Sequence, residues 1–236
     1  MKFEKTKNMK KILFPELKKY KEEVLPIQDS PRLKKTIIRM QTLLSTYNIP
    51  IDTNTFVNKQ TIDFGLATSE IENHIGKLVR QYSENRQEEI LIQVFHYIHF
   101  WGGITGRGIY VQNGGFVKNF NIEIYKKIVD KTILLNQDTL SEDLKEIENL
   151  FISIPFIGVA YGTKHLGFWS TNANKSNIQL PILDSIISRN LLKTPYFAWR
   201  HYCSYVKQMQ EEAKKRKVSV NTLERLLYNE FNKPKQ

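Results

Sequence analysis

Residues 158–189 read GVAYGTKHLGFWSTNANKSNIQLPILDSIISR and place one amine and one carboxylate at conspicuous points. Lys164 stands two residues after Gly162, and twenty residues later Asp184 stands directly before "SIISRNLL", a natural helix N-cap position. Upstream, "SEDLKEIENLFISI" has Ser141 as its expected cap and an apolar stripe of Leu144, Ile147, Leu150 and Phe151. The pattern predicts a helix to about Ile154 and a turn containing Pro155, Gly158 and Gly162. A second helix then carries Lys164, His165, Phe168 and Trp169. This is a helix–hairpin–helix, whose turn amides and second-helix N-terminus can face a phosphate.

The flanking sequence is also helical. "SPRLKKTIIRMQTLLSTYNIP" opens with Ser30 and Pro31 and keeps a helical period through Leu44. "ATSEIENHIGKLVRQYSEN" reads as another helix. "RQEEILIQVFHYIHFWGG" is apolar nearly all round from Ile90 to Trp101, which predicts a central position. "GGITGRGIYVQNGGF" is a bending glycine loop, followed by the helical "NIEIYKKIVDKTILLNQ". "PYFAWRHYCSYVKQMQEEAKKRK" and "SVNTLERLLYNEF" close the chain. The expected class is mainly α, a two-lobed helical fold with a helix–hairpin–helix motif. Its expected parts are an N-terminal helical region at 1–89, a core at 90–192 and C-terminal helices at 193–236.

Lys and Arg exceed Asp and Glu by 35 − 24 = 11 in 236 residues. That field favours polyanions such as DNA, RNA or an acidic membrane. A solubility device is the plain alternative. Cys203 is the single cysteine, so no internal disulfide forms. No run approaches the ~20 apolar residues of a membrane span, and the basic N-terminus lacks a signal-peptide core. The chain reads as cytoplasmic.

Gly-Thr-Lys after a hairpin, followed by an Asp inside "LPILD", resembles the helix–hairpin–helix DNA glycosylases with a catalytic lysine. Within them, "YGTKHLGFW…LPILDSIISR" is similar to the bacterial branch of the 8-oxoguanine DNA glycosylase fold. The likeness is good over about 142–192, looser through the last two helices and weak before residue 90. The usual hairpin, Leu-Pro-Gly-(aliphatic)-Gly, is replaced here by "IPFIGVAYGTK".

The resemblance implies base excision with AP-lyase activity on double-stranded DNA, without cofactor or metal. Lys164 would attack C1′ as a neutral amine and form a Schiff base that permits strand nicking. Asp184 would stabilise positive charge on the sugar and help deprotonate the lysine. Gly158, Gly162, Thr163, Arg107 and Lys175 are expected at the DNA. Phe168, Trp169, His99 and Trp101 are expected around the base. An amine with an ordinary pKa of ~10.4 needs burial or nearby positive charge to attack at neutral pH. Tyr161, Phe168 and Trp169 are the expected burial, and His165 or Lys175 the expected charge.

Other features have plainer readings. His96 and His99 share a helix face but lack a third ligand at a supporting spacing, so packing is favoured over metal. "GGITGRG" lacks the Lys-Ser/Thr of a phosphate-binding P-loop. Lys207, Lys214, Lys215, Arg216 and Lys217 form a solvated helix face or a track along the phosphates. Two alternatives stay open beside the enzyme. One is a non-catalytic DNA-binding module, and the other is an interaction subunit of a bacterial defence system.

Overall fold

The computed structural model describes residues 11–17, 64–101, 121–155, 157–194 and 198–231. The expected helix after Ser30 and the glycine loop bearing Arg107 lie outside these. Among the described residues the protein is mainly helical, with no strand. The helices are α1 (Phe64–Asn85), α2 (Glu88–Trp101), α3 (Ile122–Ile133), α4 (Leu140–Ile152), α5 (Val159–Ala173) and α6 (Ser185–Leu191). A 3-10 turn (Trp199–His201), α7 (Tyr202–Arg216) and α8 (Val220–Phe231) complete them.

Helix α5 is the centre of the first group, packed against α1, α2 and α3. Helix α2 buries Ile90, Leu91, Val94, Phe95, Tyr97 and Ile98, as its apolar circumference requires. Glu88 and Glu89 lie in its first turn, where the helix dipole favours negative charge. Helices α3 and α4 pack on each other, α7 touches α4, and α8 packs on α6 and α7.

Two local expectations need correction. Helix α4 begins at Leu140 with Thr139 at the cap, so Ser141 lies inside the first turn. Leu140 is buried, and drawing it into the core extends the helix upstream. Helix α5 begins at Val159, so Gly162 is a helical residue rather than part of the turn.

Glycine inside a helix costs about 1 kcal/mol against alanine, so both internal glycines of α5 need a reason. At Gly162 a Cβ would lie 2.3 Å from the Trp199 ring. At Gly167 it would press on the Leu180 carbonyl and the Ile182 side chain, each 3.3 Å away. Their absence of side chain lets Trp199 close one side of α5 and the 180–182 segment lie along another.

Candidate active site

One face of α5 is sealed into an aromatic core. Trp169 has no exposed surface and donates its indole N–H to Tyr125 Oη at 2.9 Å. Tyr125 Oη and His165 Nδ1 share a hydrogen bond of 2.7 Å. Phe95 stacks on His165 with centroids 4.7 Å apart, and His99 stacks on Tyr161 at 4.8 Å with rings 3° from parallel. Burial pushes His96 and His165 down to about 3 and His99 well below the ordinary imidazole value. All three rings are therefore neutral at pH 7. His165 supplies no charge to its neighbour Lys164, contrary to one sequence expectation. Trp169 and His99 form core here rather than an open pocket wall.

The neighbouring face of α5 carries Tyr161, Lys164 and Phe168, three and four residues apart and so aligned. Lys164 is mostly covered. Its Nζ donates to the Ala160 carbonyl at 3.4 Å and lies 5.0 Å from the Tyr161 ring centroid. Burial lowers its pKa below the ordinary lysine value, while the charges of Asp184 and Glu224 act in the opposite direction. One turn further, Phe168 meets Trp101 edge-on at 5.1 Å. Trp101 remains partly exposed and donates its indole N–H to Glu72 at 3.1 Å.

Asp184, whose charge acts on this amine, follows a segment without secondary structure of its own. Side chains from three helices hold the backbone of residues 180–183. Leu180 N–H donates to Ser170 Oγ at 2.9 Å, and Leu183 N–H to Thr163 Oγ1 at 3.0 Å, both acceptors on α5. Tyr202 and Tyr205 of α7 donate to the carbonyls of Pro181 and Ile182 at 2.9 and 3.1 Å. Ile182 N–H donates to Glu224 Oε2 of α8 at 3.1 Å. Buried backbone groups left unpaired would each cost about 1–3 kcal/mol, so this clamp fixes where the chain enters α6. There Asp184 is the N-cap, its Oδ1 accepting from Ile186 and Ile187 N–H, each at 2.9 Å.

The structure thus brings Lys164 and Asp184 within electrostatic reach of one another and adds Glu224, which the sequence reading passed over. Glu224 adjoins the apolar stripe of Val220, Leu223 and Leu227 on α8. A carboxylate four residues after a buried valine was the available signal. Burial pushes Glu224 up to about 7, with a further rise from Asp184 and opposition from the Ile182 amide, Arg225 and Lys164.

The remaining expected residues lie elsewhere. Thr163 is fully buried with its hydroxyl on Leu183, and Gly162 is covered by Trp199, so neither faces a phosphate in this structure. Gly158 is exposed at the α5 N-cap with open space around it. Lys175 is exposed beyond the far end of α5. The nine residues of helical rise from Lys164 to Ala173, the last of α5, span roughly 14 Å. Lys175 is not among the charges that act on that amine. Arg107 lies outside the described residues. A surface recess of about 590 Å³ between α3 and α4 is lined by Lys127, Asp130, Lys131 and Glu146, apart from the lysine. Among the described residues no cluster of His, Cys, Asp and Glu could hold a metal. None of their helices is long and apolar enough to cross a membrane.

Residues 77–228 match the family described as "Putative 8-oxoguanine DNA glycosylase OGG-like protein", and the chain belongs to that family. No curated protein and no solved structure matches it.

Proposed function

We propose that the protein is a DNA base-excision glycosylase with AP-lyase activity, acting on double-stranded DNA through Lys164. The observation that carries this reading is a covered amine on which the charges of Asp184 and Glu224 act, on a chain of a DNA glycosylase family. Burial weakens the ammonium form, which a nucleophilic lysine requires. The Nζ lone pair would attack C1′ while the bond from C1′ to the base breaks. Asp184, held by the α6 amides, would face the positive charge that develops on the sugar. The resulting Schiff base permits β-elimination and a nicked strand.

Helix α4, the turn and α5 take the part of a helix–hairpin–helix in this reading. The exposed Gly158 cap opens the N-terminus of α5 toward a phosphate. The Phe168–Trp101 pair, one turn from the amine, is the aromatic wall available to an extruded base. The 90–192 helices carry the chemistry, with 1–89 and 193–236 flanking them. The net charge of +11 supports a polyanion as partner. Likeness to the bacterial branch makes a modified base of foreign DNA a substrate class beside oxidised guanine. Duplexes bearing single modified bases, incubated with the protein and read for strand cleavage, test this. Cleavage of at least one duplex, absent with Lys164→Gln, is expected. Binding without cleavage of any would replace the enzyme with a DNA-binding module.

A further inference from the structure

Trp101, which forms the aromatic wall with Phe168, is held from outside its own helix. It is the last residue of α2, and its indole N–H donates to Glu72 Oε1 of α1 at 3.1 Å. The other oxygen of Glu72 accepts from Arg225 Nη2 of α8. One carboxylate therefore ties the Trp101 ring to α1 and α8. Phe168, with its centroid 5.1 Å from that of Trp101, links the same ring to the α5 face that bears Lys164. Glu72 stands three residues before Ile75 and seven before Val79, on the stripe of α1 that has no exposed surface. A carboxylate there needs donors. Glu72 has one for each oxygen, and its side chain is only 22 % exposed. Stability does not account for the arrangement, because Arg225 is 71 % exposed and an ion pair open to water contributes little.

We propose that Glu72 is the positioning residue of the base-binding wall, fixing the Trp101 indole against Phe168 and so setting the slot that an extruded base must fit. This rests on the glycosylase–lyase reading, which supplies the base. The hydrogen bond does two things. It fixes the orientation of the indole, because the ring has a single N–H and donates it in one direction. It also commits the only polar donor of the ring to Glu72. The wall then meets a base by shape and stacking rather than through an indole hydrogen bond. Glu72 acts through Trp101, so its influence falls on the base and not on the attack of Lys164 at C1′. A step that has no base to hold should therefore proceed without it.

Two DNA probes separate these steps. One is a duplex bearing a single 8-oxoguanine or, where the wild type excises another modified base faster, that base. The other is an abasic duplex of the same sequence, followed by borohydride trapping. In single turnover, Glu72→Ala should lower the maximal rate of base excision about 10-fold and leave abasic trapping within about 2-fold of wild type. Glu72→Gln keeps an oxygen for the indole N–H and should recover most of the excision rate. In Trp101→Leu no indole remains to be positioned, so adding Glu72→Ala should bring no further loss. Equal slowing of excision and trapping by Glu72→Ala, or losses that multiply in the double variant, would make Glu72 a structural brace. Either result overturns the proposal and leaves the lysine reading standing. A wild type that traps on the abasic duplex but excises no modified base removes the glycosylase reading, and this inference with it. A wild type that forms no adduct at all fails the lysine reading itself.

Discussion

Helix α5 buries polar groups on two neighbouring faces and solves the problem differently on each. Around Trp169, Tyr125 and His165, the rings are neutral and linked by hydrogen bonds. Around Lys164, Asp184 and Glu224, three ionisable groups share a partly covered space, one amine against two carboxyls. The first arrangement is what a core needs, since neutral groups carry far less desolvation cost than charged ones. In the second, burial lowers the Lys164 amine and raises the Glu224 carboxyl, shifts that a rigid core does not need and proton chemistry does. The comparison separates the residues that shape α5 from those that could use it.

That division can be broken by mutation. Trp169→Ala removes a ring without solvent exposure and a hydrogen bond to Tyr125. It should cost about 3–5 kcal/mol in denaturant unfolding. A loss under 1 kcal/mol would mean that this face is not the core.

Acid should attack the same face. His96 and His165 titrate near 3 when folded, against 6.5 unfolded, and His99 is also lowered. The unfolded chain therefore binds more protons below pH 6.5. Stability is present above that pH and lost as pH falls toward 3. Between pH 6 and 5 His96 and His165 should each remove about 1 kcal/mol, roughly 2 together, and His99 acts in the same direction. A flat melting temperature across that range would contradict the neutral rings.

Glu224 has the opposite sign. Its folded value of about 7 lies above the ordinary 4.5, so the folded state holds its proton more tightly, and stability falls as pH rises from 4.5 to 7. Glu224→Gln should therefore stabilise the fold by about 3 kcal/mol at pH 8, shrinking toward zero below pH 4.5. A variant destabilised at pH 8 would make Glu224 a structural partner instead.

The glycines give the smallest contrast. Gly162→Ala drives a methyl into Trp199 and should cost about 1–3 kcal/mol in thermal unfolding. Gly158→Ala meets open space and should cost under about 1 kcal/mol. Equal costs would remove the close approach of Trp199 as the reason for Gly162.

Much of the scaffold was legible because its signals are local. The apolar circumference of 90–101 marked a central helix, and the Asp before "SIISRNLL" marked a cap that the structure places at Asp184. The start of α4 was misjudged because a buried leucine outweighed a serine's capping preference. The expectation of Gly162 and Thr163 at a phosphate comes from sequence showing small and polar residues, not what lies against them. Their partners, Trp199 and the Leu183 amide, come from distant chain. The clamp on residues 180–183 and the arrival of Glu224 were invisible for the same reason. No local period encodes a contact across 42 residues.

The central claim is that the Lys164 amine reacts with a deoxyribose carbon. Reduction of the protein with borohydride in the presence of an abasic duplex, followed by peptide mapping by mass spectrometry, tests it most directly. A sugar adduct is expected on the peptide containing Lys164, and none in the folded Lys164→Gln protein. An adduct on another lysine, or undiminished trapping by Lys164→Gln, would contradict it.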